Sequence, residues 1–525
     1  MKTSETLILN PSSNNKIALP SIILLPLVFL FTSSLAQTKS ETIDCSDLRS
    51  FQINQGNINA IEWVAAGTFR PAGSSASVVN SPYSTLPEFC RISISLHPSD
   101  DSNIKLELWL PLTNWNGKYM AVGNGAFTGN IRYSSMHGPL RRGYAVSSTD
   151  TGHSGNTASF AMGHPEKLKD FGWRSVHRMA EVSKQVIEAF YSTPANYSYW
   201  NGCSAGGRQA MVEAEKFPLD FDGIIAGAPG LDWTGRAAAA LRVAQHLEAN
   251  PQARLLKNDR QLLNDAVIAA CDTNDGVRDG LISQPQQCNF EPATLLCANV
   301  NSSNCLIAEQ VATVEILYSS PENPDTGRAI TGLLPGSELG WTDLGWTASA
   351  RATGLDQFRY IVYEDESWTI DQFDFDRDIA LAESIDSNTL NALDPNLGVF
   401  ISAGGKLIQY HGWIDPQISP NNATQYYERV VDYFGGRETI HDNYRLFMVP
   451  GMGHCRGGPG PDSFDIVSVL EKWVENDVAP DSIIAEHYSD GTVDRSRPLC
   501  PFPEVAVYSG SGNSDDARNF QCLVP

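Results

Sequence analysis

The chain has 525 residues, with 37 Lys and Arg against 60 Asp and Glu, a formal net charge of −23. Its 42% hydrophobic and 18% charged residues make it globular rather than disordered, and its length suits either several domains or one enzyme core carrying an insertion. The acidic balance, with no Lys/Arg block longer than Arg141–Arg142, excludes nucleic acid as the main partner, because phosphate backbones are held by clustered cations.

At the N-terminus, Ile17–Phe31 is apolar but broken by Pro20, Ser21 and Pro26; Lys2 and Lys16 precede it, and the small residues Ser34 and Ala36 follow. This reads as a secretory signal peptide over residues 1–36, cleaved near Ala36–Gln37. It is short and proline-broken against the ~20 residues that a membrane span needs. No second run of spanning length occurs, so the mature chain is expected to be extracellular, with no membrane partner. The ten cysteines are an even number in an oxidising compartment, which implies five disulfides. Local closure favours Cys271–Cys288, Cys297–Cys305 and Cys500–Cys522; spacing alone does not fix the pairing. Sequons at Asn196, Asn301 and Asn422 are candidate glycan sites.

From Ile104 onward strands and helices alternate. Lys105–Pro111, Tyr119–Gly123 and Gly143–Ser148 read as strands, the second ending in the Gly-rich turn Gly123–Phe127. Trp173–Tyr191 is a helix, since Val176, Met179, Ala180, Val182, Ser183, Val186, Ile187 and Phe190 form one stripe of period 3.6. A strand at Tyr197–Gly202, a turn at Cys203–Gly206, a helix at Arg208–Lys216 and a strand at Asp222–Ala228 follow. This rhythm predicts an α/β fold with a parallel sheet and crossover helices. Residues 229–395 lose it. They hold helical runs (Ala237–His246, Asp259–Ala270) and irregular polar segments, yet carry too much Trp and Leu for a tether, so they are expected to form an inserted lid. The rhythm returns at Lys406–Tyr410, with a helix near Asn421–Phe434, a strand at Tyr444–Val449 and a helix at Ser463–Asn476. The expected organisation is a catalytic domain from residues 37–228 and 396–525, with 229–395 as the lid.

The most specific local pattern is Gly202-Cys203-Ser204-Ala205-Gly206, a G-x-S-x-G segment between a strand and a helix. A nucleophile elbow needs small residues two positions either side of its serine, because the turn is sharp and its neighbours pack closely. The same residues also suit an ordinary glycine-rich turn with a capping serine. An acid and then a histidine should follow in chain order. Asp415 lies just after the strand Lys406–Tyr410 and His454 just after Tyr444–Val449, which makes Ser204, Asp415 and His454 a candidate triad. The rival histidines His153, His164, His177, His411 and His441 are expected to be structural or on the surface. Ala205 and the loop residues Gly125 and Ala126 are the candidate oxyanion donors. Cys203 precedes the serine and Cys455 follows the histidine; paired, they would clamp nucleophile to base.

This constellation resembles the tannase and feruloyl esterase family, whose signature is Cys-Ser, Asp and His-Cys with a disulfide between the two cysteines. Further likeness lies in Tyr199–Gln209 (YWNGCSAGGRQ), Asp222–Pro229 (DGIIAGAP), Tyr410–Trp413 (YHGW), Ser148–His153 (STDTGH) and Pro450–Cys455 (PGMGHC). Ala205 stands where many members have Thr, at a position that contributes only a backbone N–H. The resemblance implies an α/β-hydrolase core with a large lid, and a Cys203–Cys455 disulfide. With Cys45–Cys90 and the three local pairs, that completes the expected set of five.

Asp272, Asp275 and Asp279 fall in one short loop, with Gly276 and Gly280 permitting tight turns. Together with the carbonyls of Val277 and Leu281 they offer the oxygen donors that calcium prefers, although the loop is no EF-hand, as Ser283 holds its twelfth position. The resemblance implies a structural Ca²⁺ in the lid here, closed by Cys271–Cys288; nothing in the sequence brings the loop near Ser204. The activity implied is hydrolysis of aromatic acyl esters by a secreted serine carboxylesterase. Feruloyl esters of plant cell-wall polysaccharide are favoured, because the insertion lacks an obvious dibasic processing site of the kind associated with some tannases. Galloyl esters are the alternative, and a non-catalytic binding protein on a hydrolase fold is the rival from another class. The sequence carries no signal of oligomeric state.

Overall fold

Nine strands make one mixed sheet: β1 (Gly56–Val64), β2 (Phe89–Leu96), β3 (Ile104–Pro111), β4 (Lys118–Val122), β5 (Ala145–Thr149), β6 (Tyr197–Cys203), β7 (Gly223–Gly227), β8 (Lys406–Gly412) and β9 (Tyr444–Val449). They lie in a computed structural model that describes residues 44–71, 81–299, 304–343 and 353–525. The expected signal peptide and the sequon at Asn301 lie outside the described residues. The spatial order is β1-β2-β3-β5-β4-β6-β7-β8-β9. From β5 through β9 every neighbouring pair is parallel, while β1, β2, β3 and β5 pair antiparallel. The sequence rhythm placed β3 in a parallel sheet. Residues 112–117, which join β3 to β4, are too few for the crossover of about a dozen residues that parallel strands need, so β3 enters antiparallel.

Alternation along the strands explains why helices cover both faces. In β4, Tyr119 and Ala121 enter one core and Met120 and Val122 the other; in β6, Trp200 and Tyr199 divide the same way. The helix Ser175–Tyr191 buries Val176, Met179, Ala180, Val182, Ser183, Val186, Ile187 and Phe190, the stripe read from its periodicity. It starts two residues later than that stripe suggests, because Asp170–Arg174 forms a π-helical turn ahead of it. The helix Ile466–Asn476 packs Leu470 and Trp473 on the opposite face. This is the α/β-hydrolase arrangement.

Between β7 and β8 the chain leaves the sheet and returns to the neighbouring position. The excursion builds its own cores. One contains Leu263, Val267, Val314 and Trp341, the other Phe358, Trp368 and Ile379, and the helix Trp233–Ala249 serves both through Val243 and Leu247 on one side and Leu241 and Ala244 on the other. Two C-terminal hairpins, absent from the sequence reading, complete the chain: β10 (Ile483–Ser489) with β11 (Thr492–Leu499), and β12 (Val505–Tyr508) with β13 (Phe520–Leu523). All ten cysteines are paired, as Cys45–Cys90, Cys203–Cys455, Cys271–Cys288, Cys297–Cys305 and Cys500–Cys522. No helix among the described residues is long and apolar enough to cross a membrane.

Candidate active site

Ser204 stands between β6 and the helix Ala205–Lys216, with φ 64° and ψ −121°. A non-glycine residue adopts such a conformation only when its surroundings impose it. Here the Ser204 N–H donates to Gly227 O at 3.0 Å, and Ser204 O accepts from Arg208 N at 2.9 Å and Gly230 N at 3.2 Å, so the strained turn is held from β7 and from its own helix. The two glycines of the motif have a steric reason. A Cβ on Gly202 would collide with Gly206 O, and one on Gly206 would lie 3.0 Å from Gly123 Cα. The helix begins at Ala205, three residues before the stretch its sequence favours, because close packing on the neighbouring strands overrides the poor helix propensity of Gly206 and Gly207.

Asp415 is fully buried just beyond β8. Its Oδ1 accepts the N–H groups of Gln417 at 2.8 Å and Ile418 at 3.0 Å, while its Oδ2 accepts from His454 Nδ1 at 2.7 Å. A second imidazole shares that oxygen: His411 Nε2 lies 3.0 Å from Asp415 Oδ2 and 3.0 Å from Ile418 O. Both neighbours are acceptors, so Nε2 carries the proton; His411 Nδ1 is buried without a partner among the described residues. Burial by itself pushes the Asp415 carboxyl up. The charge of His454 and the hydrogen bonds from His411 and His454 outweigh it and hold the group well below the usual carboxylate range.

Cys203 and Cys455 are joined with their Cα atoms 6.1 Å apart, which brings the Ser204 and His454 loops together. Ser204 and His454 line one cavity of about 670 Å³, along with Gly125 and Ala126. Among the described residues Ser204 Oγ makes no hydrogen bond; nucleophile–base contacts often tighten only when substrate is bound. The N–H groups of Ala205, Gly125 and Ala126 likewise find no acceptor among the described residues. The Gly125 loop is anchored from the elbow helix, since Asn124 N donates to Gln209 Oε1 at 3.0 Å and Gln209 Nε2 donates back to Asn124 Oδ1 at 3.3 Å. His153 donates to Phe127 O at 2.8 Å and stacks on Phe160, so it props the same loop. His164 and His177 instead meet Asp101 and Asp220, and His441 is half-buried away from the triad. Sequence reasoning missed His411, Gln209 and Arg208. The last is wholly buried four residues after the serine, donating to Gly172 O, Phe171 O and Leu390 O. The GGRQ segment after the serine is the signal for Arg208 and Gln209, and YHGW that for His411.

A second cavity of about 500 Å³ shares His454, Gln417 and Arg456 with the first and is walled by Ile268, Leu281 and Leu339 of the insertion. The acidic loop therefore backs onto the active-site region, against the expectation that nothing brings it near Ser204. Asp272 Oδ1 accepts Gly280 N at 3.0 Å and Asp279 N at 3.2 Å, Asp275 Oδ1 accepts Val277 N at 3.0 Å, and Asp279 Oδ1 accepts Leu281 N at 3.1 Å. The other oxygen of Asp279 pairs with buried Arg497 of β11, and its carbonyl accepts from Arg495. Among the described residues no three His, Cys, Asp or Glu side chains gather into a metal cage. The donors are hard oxygens of the kind calcium takes, and Oδ2 of Asp272 and Asp275 makes no hydrogen bond to a described residue; Asp279 would have to be shared with Arg497. Of the sequons, Asn196 is exposed, whereas Asn422 is half-buried and accepts from Thr331 Oγ1 at 2.8 Å, a poor setting for a glycan.

A family profile described as tannase and feruloyl esterase matches residues 90–523. The chain is 34% identical to an uncharacterised esterase of Xanthomonas campestris, covering 93% of each. It is 30% identical to feruloyl esterase B of Aspergillus niger, covering 94% of this chain and 98% of that one. Among solved structures it is similar to feruloyl esterase B from Aspergillus oryzae, with a TM-score of 0.85 at 29% identity over 91% of this chain and 100% of the other.

Proposed function

The chain belongs to the tannase and feruloyl esterase family, whose members are carboxylic ester hydrolases, and from that premise we propose that it is a secreted serine esterase of hydroxycinnamoyl esters on plant cell-wall polysaccharide. Ser204 Oγ attacks the ester carbonyl as His454 Nε2 takes its proton. The oxyanion draws on the N–H of Ala205 and on one from Gly125 or Ala126, groups without an acceptor among the described residues. His454 passes the proton to the leaving alcohol, and water then cleaves the acyl-enzyme by the same route in reverse. Asp415 fixes the Nδ1–H tautomer of His454 and stabilises the imidazolium, which its low pKa equips it to do.

The observation that carries this reading is the strained Ser204 elbow tied by a disulfide to a histidine whose Nδ1 is held by a buried carboxylate. Residues 229–395 act as the lid and supply apolar contacts for an aromatic acyl group through Ile268, Leu281 and Leu339. Complete cysteine pairing supports passage through an oxidising compartment, with residues 1–36 as the signal. A structural Ca²⁺ on Asp272, Asp275, Asp279 and the carbonyls of Val277 and Leu281 would order the loop behind Leu281. The test is a panel of methyl ferulate, methyl caffeate, methyl gallate and a simple aliphatic ester. Ferulate should lead in kcat/KM, and Ser204→Ala should lose about 10⁴-fold or more. A lead for gallate would make the protein a tannase, and undiminished turnover in Ser204→Ala would end the serine mechanism.

A further inference from the structure

We infer that the natural ester carries a carboxylate on its alcohol portion, recognised by Arg132 and Arg456; this rests on the serine-esterase reading above. Arg132 closes the Gly125 loop, just ahead of the helix Tyr133–Arg141, and Arg456 follows Cys455. Both line the cavity that holds Ser204 and His454. Neither guanidinium makes a hydrogen bond or ion pair with any described residue, and Arg132 Nε is sealed from solvent without an acceptor.

Arg49, Arg141 and Arg278 also make no such bond, and Arg456 is exposed, but Arg132 and Arg456 are the arginines that line the cavity of Ser204 and His454. Acids outnumber bases 60 to 37, and Arg91, Arg142, Arg174 and Arg328 each engage two carboxylates. Among the described residues no Asp or Glu lines either cavity. A protein of net charge −23 thus presents a cleft whose described lining holds two arginines and no acid, and a cleft of one sign concentrates ligands of the other. The planar fork of an arginine matches a carboxylate in two parallel hydrogen bonds.

The alcohol side follows from the chemistry. His454 delivers the proton to the departing alkoxide, so the alcohol lies against the base loop, and Arg456 is on that loop two residues further on. The neighbouring cavity meets the first at Arg456 but carries Ile268, Ile282, Leu339 and Ile414 on its walls, which suits an aryl group. A small hydroxy acid and a uronic-acid sugar both present such a carboxylate.

Carboxymethyl ferulate and carbamoylmethyl ferulate have nearly the same shape and differ by one charge. Their kcat/KM values, each divided by the rate of simple hydroxide hydrolysis, should favour the carboxylate about tenfold at low salt, the worth of a charge-assisted hydrogen bond. The preference should shrink near 1 M salt, where the screening length is about 3 Å. It should fall to about one in Arg132→Gln/Arg456→Gln; a ratio taken within one variant does not depend on how much of it folds. The feruloyl esters of methyl glucuronide and methyl glucoside form a second pair. Preference in that pair alone assigns the carboxylate to a uronic acid, and in the first pair alone to a small hydroxy acid. A ratio of one in both pairs, or a preference that survives the double substitution, overturns the inference. So does a gain confined to methyl 4-carboxycinnamate, whose charge is on the acyl side. Failure of every ester to turn over would instead bring down the esterase reading itself.

Discussion

Replacing both Cys203 and Cys455 with alanine should damage catalysis more than it damages the fold. The bond spans 252 residues of sequence, and the two disulfides nested inside that loop shorten it by only 17 and 8. Loop closure of this length is worth about 5 kcal/mol in the chain-entropy description. For a chain of this size the entropy of unfolding is on the order of 1 kcal/mol/K, so Tm should fall by about 5 °C and the variant should remain folded at room temperature. The sheet register of β6 with β7 and the buried Asp415 carboxylate do not depend on the bond. The relative placement of Ser204 and His454 does, since each adjoins one of the bridged cysteines. A misplacement of ~1 Å between reacting groups costs about a hundredfold. Steady-state hydrolysis of a nitrophenyl ester, measured well below Tm, should therefore show kcat down about a hundredfold with KM within about threefold. Full kcat in a folded double variant would refute the reasoning and leave the bond a stability element only.

His411 is a positioning residue for Asp415: His411→Phe should lower kcat about tenfold, the value of one hydrogen bond to a charged group, with KM little changed, and His411→Gln should restore much of it by donating to the same oxygen. Equal loss in both variants, read from the same pH–rate profile, would show that packing alone is at stake. Burial, with the Asp220 charge beside it, holds the Glu213 carboxyl of the elbow helix well above the usual range. A raised carboxyl opposes folding once pH climbs past its unfolded value, so Glu213→Gln should be neutral near pH 4 and increasingly stabilising towards pH 8 in thermal melts; a gain independent of pH contradicts this. A chelator should lower Tm by a few degrees, since a ligand at a hundred times its Kd contributes about 2.7 kcal/mol, and Asp275→Ala should abolish that response; calcium-replete protein free of calcium on metal analysis would remove the site.

The stretches legible in the sequence are those where one residue type has one reason to be there. The stripe Val176–Phe190 is apolar because that helix face meets the sheet, and its periodicity survives any tertiary context. Gly202, Ser204 and Gly206 could be singled out because a sharp turn leaves no room for a side chain two positions either side of the serine. Asp415 and His454 could be proposed because hydrolase chemistry wants an acid and a base after successive strands, and both strands were visible. Elements that depend on distant partners were not legible. β1 and β2 lack the dense apolar runs of the central strands, and β3 is antiparallel only because its link to β4 is short. The β10–β11 hairpin is rich in polar residues and bears Arg495 and Arg497, whose partner Asp279 lies far away in sequence. His411 resembles any other histidine of a strand end until the chain folds and places it on the oxygen that His454 also uses. Local pattern reports what a residue's own backbone and burial demand. That two imidazoles share one carboxylate oxygen, and which arginines meet no carboxylate, is settled only when segments remote in sequence meet.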